Sequence, residues 1–223
     1  MKDNAGKKSI KVRLRKARRG LNIFYYGKGK GKTTAAMGVA ARAAGAGMNV
    51  YILQFVKARK PKKGHNLQSG EWPISSEILF FEAAENALRS GAGTGKGVHR
   101  NGVGSIKAGQ VGVGFVGILG DKKARTKHIL EAKKGLAQAK KIIASDRYDL
   151  IILDELVSAL ELDLISEAEI LDIIRNKPKH LHLIYTGHDK FDKIIEASDL
   201  ASEILMIKHP YYKGILAQKG IDF

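Results

Sequence analysis

The chain has no cysteine in its 223 residues. That excludes disulfides and thiolate-bound metals, and it fits a cytoplasmic protein. Long apolar runs are missing too. The longest, in "DLIILDEL" (149–156) and "LHLIY" (181–185), fall far short of the ~20 residues that span a bilayer, so no membrane partnership is expected. The first residues hold no apolar core of the kind a secretory signal requires. Acidic side chains are scarce, 22 against 39 Lys and Arg, which leaves a formal charge of +17 and a pI near 9.9. Hydrophobic residues still make up 44% of the chain, enough for one α/β domain with a sizeable core.

Much of the positive charge is local. Lys2, Lys7, Lys8, Lys11, Arg13, Arg15, Lys16, Arg18 and Arg19 face Asp3 alone within the first twenty residues, and "KARKPKK" (57–63) forms a second cluster. Such clusters attract phosphates whatever the sequence. Neither contains an aromatic residue, which argues against a nucleic-acid groove with stacking side chains. Residues 1–20 read as a basic tail and 21–223 as a single domain.

Within that domain "LNIFYY" (21–26), "NVYILQFV" (49–56), "EILFFE" (77–82), "YDLIILDEL" (148–156), "HLHLIYTG" (180–187) and "EILMIKHP" (203–210) read as buried strands. Between them "TTAAMGVAARAAGAG" (33–47), "SEAEILDIIRN" (166–176) and "KFDKIIEAS" (190–198) read as helices. A further helix is expected over 121–145, with Asp121 as N-cap and Ile129, Ala132, Leu136, Ala139 and Ile143 as its buried stripe. Residues 91–120 hold eleven of the 25 glycines, so the stretch from about 83 to 120 reads as an irregular loop or lid. Strands alternating with helices predict an α/β fold of P-loop NTPase-like (RecA-like) build. About six mostly parallel strands should carry helices on both faces.

The chemistry concentrates in "YYGKGKGKTTAA" (25–36). A common phosphate-binding loop reads G-x-x-x-x-G-K-[ST]. Gly31, Lys32 and Thr33 fit its end, but Tyr26 stands where the first glycine belongs and Gly27 is one step too close. The device is otherwise complete: a strand, a glycine loop and a helix whose first N–H groups can face phosphate oxygens. Lys32 adds a point charge, and the Thr33 hydroxyl can reach Mg²⁺ or Mn²⁺. "LIILDE" delivers Asp154 and Glu155 as further oxygen ligands. The two motifs together predict ATP binding. "GVGFVG" (112–117) matches a dinucleotide fingerprint but lies inside the glycine-rich stretch, follows only a weak strand and precedes a helix expected only after Gly120. "GTGKG" (93–97) has no hydroxyl residue after Lys96 and no strand before it. His180 and His182 read as packing residues on one strand face, and Phe191 and Ile194 as core.

The segments "GKGKGKTTAAMGVAARAAGAG", "VYILQFVK", "GFVG", "YDLIILDEL", "LIYTG" and "IKHPYYKGILAQKGIDF" together resemble the P-loop type ATP:corrinoid adenosyltransferases. The resemblance covers most of the chain beyond residue 20, and the short loop and the C-terminal segment are its most specific parts. It implies transfer of the 5′-deoxyadenosyl group of ATP to the Co(I) of a corrinoid (cobalamin, cobinamide or cobyrinic acid diamide), with release of triphosphate. It also implies a loop that holds the triphosphate in the reverse sense from ordinary ATPases, a partner reductase and a homodimer.

By position, the resemblance assigns the phosphates to Gly27, Lys28, Gly29, Lys30, Gly31, Lys32, Thr33 and Thr34, with Arg42 part of the nucleotide site. Thr33 and Glu155, with Asp154, fall to the metal. Phe115 matches a phenylalanine that covers the lower face of the corrin, and Gln54, Lys57 and His209 lie in segments near the corrinoid. Lys32 and Phe115 are the residues on which transfer should depend most. Where the family often carries a tryptophan, this chain has Gly117, and it has no D-x-H-x-x-G segment for a permanently bound cobalamin. Two other readings stand beside this one: a nucleic-acid-stimulated P-loop ATPase, and a non-catalytic ATP-binding regulator.

Overall fold

A computed structural model describes residues 19–56, 76–90, 102–112, 124–218 and 220–221. Six strands form one sheet: β1 (Asn22–Tyr26), β2 (Val50–Gln54), β3 (Ile106–Gln110), β4 (Leu150–Asp154), β5 (His182–Thr186) and β6 (Leu200–Glu203). Their order is β3-β2-β4-β5-β1-β6, and every neighbouring pair is parallel. Parallel strands need long crossovers, supplied by α1 (Lys32–Gly45), α2 (Ser76–Ser90), α3 (Arg125–Ala144), α4 (Leu156–Glu161), α5 (Glu167–Asn176) and α6 (Asp192–Glu196).

The continuous apolar runs of the central strands follow from two covered faces. Along β4, Leu150 and Ile152 join a core with Ala36, Met37, Ala40, Ala43 and Ala44 of α1 and with Ile78 and Phe81 of α2. Ile151 and Leu153 face the opposite way, into the core formed with α3, α4 and α5. In α3 the stripe foreseen from the sequence is buried at Ala132, Leu136, Ala139 and Ile143. That helix begins at Arg125 after an extended Ala124 with no side-chain cap; Asp121 lies outside the described residues.

Three elements differ from the sequence expectation. "EILFFE" belongs to helix α2: Ile78 and Phe81, three apart, are buried, whereas Leu79 and Phe80 between them are exposed. The third strand of the chain is instead "IKAGQ", inside the glycine-rich stretch, where five residues pair in register with β2. The last strand is "LASE", earlier than expected; the apolar residues 204–207 follow the sheet rather than extend it. Both misplaced strands are sheet edges, where fewer neighbours demand apolar side chains. Among the described residues no helix is long and apolar enough to cross a membrane.

Candidate active site at the carboxyl edge of the sheet

Tyr26 explains the short loop. It is the buried last residue of β1, its ring stacked on Phe24 with centroids 5.0 Å apart, so the strand still occupies the place of the usual first glycine. The chain turns one residue later, at Gly27, where φ is 110°. Residues 27–30 then alternate: Gly27 and Gly29 are buried, whereas Lys28 and Lys30 are exposed. The glycines lie against the backbone that leaves β6. A Cβ on Gly27 would stand 2.4 Å from the Ile204 carbonyl oxygen, and one on Gly29 2.7 Å from the same atom. Side chains are excluded at both positions.

Gly31, with φ of 116°, caps α1 without any side-chain hydrogen bond, and no acidic residue stands in the first turn. The partial positive charge of this helix start is therefore uncompensated by protein carboxylates of its own turn. Lys32 Nζ donates to Gly27 O at 2.7 Å and to Gly29 O at 2.8 Å, holding its ammonium inside the loop. Burial lowers its pKa, against the opposing pull of Glu155, Glu161 and Asp154.

A row of polar groups ends the neighbouring strands. At the last position of β3, Gln110 donates to Gln54 Oε1 at 3.0 Å. Gln54, last in β2, donates in turn to Asp154 Oδ2 at 3.1 Å. Asp154, last in β4 and fully buried, also accepts from Thr186 Oγ1 of β5 at 2.9 Å and from Thr33 Oγ1 at 3.0 Å. Thr186 Oγ1 closes the chain by accepting the Glu155 amide at 2.7 Å. Glu155 itself is left-handed, with φ of 58°, at the sharp start of α4. The strand ends thus fix Asp154 against Thr33 at the first turn of α1.

The sequence-predicted residues Gly27 to Thr34 and Asp154 come together here, with Glu155 beside them. Gln54 joins the cluster but in another capacity. Its side chain is fully buried behind Asp154, so it orders that carboxylate and offers a bulky ligand no surface. Arg42 is not brought to the loop. It is exposed in the last turn of α1, ten residues beyond Lys32, or roughly 15 Å along the axis. His209 caps a 3-10 turn, Pro210–Lys213, its Nδ1 accepting the Tyr211 amide at 3.1 Å. Lys57 and Phe115 lie outside the described residues, as do Gly117 and the decoy glycines at 93–97. The expected histidine pair separates: His182 Nδ1 accepts the Leu21 amide at 3.1 Å, while His180 precedes the strand and pairs with Asp146. Ile194 is buried and Phe191 packs partly buried against the core, as expected.

Sequence reasoning missed Gln110, Thr186 and His188. The available signal was position: polar residues that follow a buried strand sit where α/β sheets bind ligands.

A family model described as "ATP:corrinoid adenosyltransferase BtuR/CobO/CobP" matches residues 18–223. The chain belongs to this family. It is 29% identical over 206 residues to a corrinoid adenosyltransferase of Sinorhizobium sp, covering 92% of this chain and 81% of the relative. Similarity to corrinoid adenosyltransferase CobA of Salmonella typhimurium is 29% over 205 residues, covering 92% and 86%. The Escherichia coli K12 corrinoid adenosyltransferase is 28% identical over 219 residues, covering 97% and 93%. Among solved structures, EssC (ATPases 2 and 3) from Geobacillus thermodenitrificans aligns at 13% identity with a TM-score of 0.38, over 91% of this chain and 35% of that one. As a member of the adenosyltransferase family the chain is an enzyme, and the family uses ATP and a corrinoid as substrates.

Proposed function

We propose that this adenosyltransferase joins C5′ of ATP to the Co(I) centre of a corrinoid substrate and releases the triphosphate intact. The observation that carries the proposal is the pairing of the uncapped α1 start and Lys32 with the Thr33–Asp154 contact. In the reaction the cobalt electron pair forms the cobalt–carbon bond. The C5′–O bond breaks and its electrons leave with the triphosphate, so cobalt is oxidised to Co(III) and no general base is required. What the protein must stabilise is the departing polyanion. The uncapped N–H groups at the start of α1 face it together with three ammonium groups from Lys28, Lys30 and Lys32, a fixed array aimed at developing charge.

Thr33 and Asp154 offer oxygen atoms alone, the donor type that Mg²⁺ selects, and Mg²⁺ takes only one or two protein ligands beside phosphate and water. The site therefore fits the ion. Thr33 and Asp154 would hold it, with Glu155 adjacent, and bound there it would supply fixed positive charge to the phosphate oxygens. By family resemblance the cover of the lower corrin face is assigned to Phe115, and contacts to the corrinoid to Lys57 and His209. Cobalamin, cobinamide and cobyrinic acid diamide all suit this chemistry. A separate reductase supplies Co(I), and the enzyme acts as a cytoplasmic homodimer.

The test is to mix the protein with Mg-ATP and chemically reduced cob(I)alamin and follow the corrin absorbance. Conversion to the spectrum of adenosylcobalamin supports the proposal. ATP hydrolysis stimulated by DNA, with no corrin change, would replace it with a nucleic-acid-stimulated ATPase.

A further inference from the structure

Beyond the glycine loop, the carboxyl end of β5 brings a second basic group to the same place. Residues 187–189 follow Thr186, and the His188 carbonyl accepts the amide of Gly27, the first glycine of the loop, at 3.0 Å. The backbone of His188 is thereby tied to the phosphate loop itself. Its position is fixed from the other side by Glu161, the last residue of α4. One carboxylate oxygen, Oε1, accepts both the His188 amide at 2.6 Å and the Asp189 amide at 2.8 Å. The other, Oε2, lies 3.4 Å from His188 Nδ1, and the Ser158 hydroxyl lies 3.0 Å from that same nitrogen. Nε2 makes no hydrogen bond among the described residues, and about half of the side chain is exposed.

Such an arrangement resembles a positioned base or cation more than a packing residue. A carboxylate accepting from Nδ1–H fixes the ring orientation and leaves Nε2 facing outward, where it becomes an N–H donor once the ring is protonated. Gly187 permits the close approach: a Cβ there would stand 2.5 Å from Val157 Cβ and 2.9 Å from Glu161 Oε1. The charged groups facing the ring are Glu161 of α4, Glu155 at the turn before it and Lys32 of α1. Asp189 beside it approaches Lys28 of the loop at 4.0 Å.

We infer that His188, oriented by Glu161, is a further phosphate-binding residue that donates from Nε2 to the polyphosphate held by the glycine loop. The inference rests on the proposed phosphate-binding role of that loop. Glu161 is its positioning residue and touches no substrate. The hydrogen bond to Glu161 is the main influence raising the His188 pKa, with burial and Lys32 opposing it. Protonated His188 binds an anion more strongly than neutral His188, so polyphosphate affinity should weaken as pH rises through that pKa.

The experiment measures the affinity of the full chain for inorganic tripolyphosphate by calorimetry between pH 6 and 8.5. Variants are His188→Ala, His188→Arg, Glu161→Gln and Lys32→Ala. Loss of one charge-assisted hydrogen bond should weaken binding by His188→Ala about tenfold or more at pH 6 and flatten the pH dependence. His188→Arg should restore the affinity and keep it constant across the range, a rescue that a merely structural role would not give. Glu161→Gln should lower the pH midpoint while leaving binding at the lowest pH nearly intact. Should His188→Ala bind as tightly as wild type, with the same pH profile, the inference fails while a Lys32-dependent loop survives. If Lys32→Ala also binds like wild type, or wild type does not bind, the loop reading falls with it.

Discussion

Gln54 and Asp154 occupy matching positions at the ends of neighbouring parallel strands, and the Gln54 amide donates 3.1 Å to the Asp154 carboxylate deep inside the protein. A buried glutamine is costly unless satisfied, and here both ends are used, since Gln110 donates to its carbonyl oxygen. The sheet thus transmits its strand register directly into the orientation of one carboxylate. That carboxylate meets Thr33, and the position of Thr33 is fixed by the glycine loop.

The first consequence concerns stability. Asp154→Ala removes the acceptor of the Gln54 amide and the Thr186 hydroxyl, both buried. Each stranded donor costs about 1–3 kcal/mol, and at this chain length each kcal/mol lowers Tm by about 2–4 °C. Calorimetry should show a clear drop for Asp154→Ala and a smaller one for Asp154→Asn, which keeps an acceptor oxygen. An unchanged Tm for the alanine variant would mean that the network carries no load. The asparagine variant should nonetheless lose the metal dependence of ATP binding.

Lys32→Ala should leave folding nearly intact and reduce adenosyl transfer by about 10²–10³-fold, the usual cost of a preorganised donor to developing charge. Steady-state assays with chemically reduced corrinoid measure this without a reductase. Near-normal turnover would show that the loop has been assigned the wrong ligand.

The fold and half of the site were legible in the sequence because their signals are local. The runs of β1, β2 and β4 are apolar on both faces, and Gly31-Lys32-Thr33 with Asp154 carries its chemistry in residue type. Edge strands were not legible. Ile106–Gln110 is held by register with β2, and Gly109 inside it argues for a loop. In "EILFFE" four apolar residues in a row fit a strand or a helix equally, and only packing of Ile78 and Phe81 decides. Gln54 illustrates a subtler gap: its place beside the site was legible, but its burial behind Asp154 depends on β3 and Gln110. His188 carried no local signal, because its meaning comes from Glu161, 27 residues earlier, and from Gly27.

Acid should loosen α5 selectively. Ser166 and Glu169 form a capping box at its start, and Lys133 pairs with Glu169 at 2.6 Å. Burial pushes the Glu169 carboxyl up, but its bonds to Lys133 and Ser166 outweigh this and hold the pKa at about 2. A depressed carboxylate stabilises the fold above its ordinary pKa of 4.5 and loses that contribution as pH falls toward 2. Urea midpoints measured from pH 6 to 2.5 should fall more steeply for wild type than for Glu169→Gln. Parallel curves would show that the cap contributes nothing to the acid response.

For Phe115→Ala the expected effect is selective. In the proposed function Phe115 covers the lower corrin face, a cover that would assist reduction to Co(I), so transfer starting from Co(II) and a reductant should collapse, with much less loss from preformed Co(I). Equal loss in the two assays would remove Phe115 from that role.

The central claim is that the glycine loop grips a triphosphate that departs whole, and phosphorus NMR of the reaction products tests it most directly. With Mg-ATP and cob(I)alamin, the account predicts free tripolyphosphate in equal amount to adenosylcobalamin and no ADP. ADP with orthophosphate, or pyrophosphate as the primary product, would contradict it.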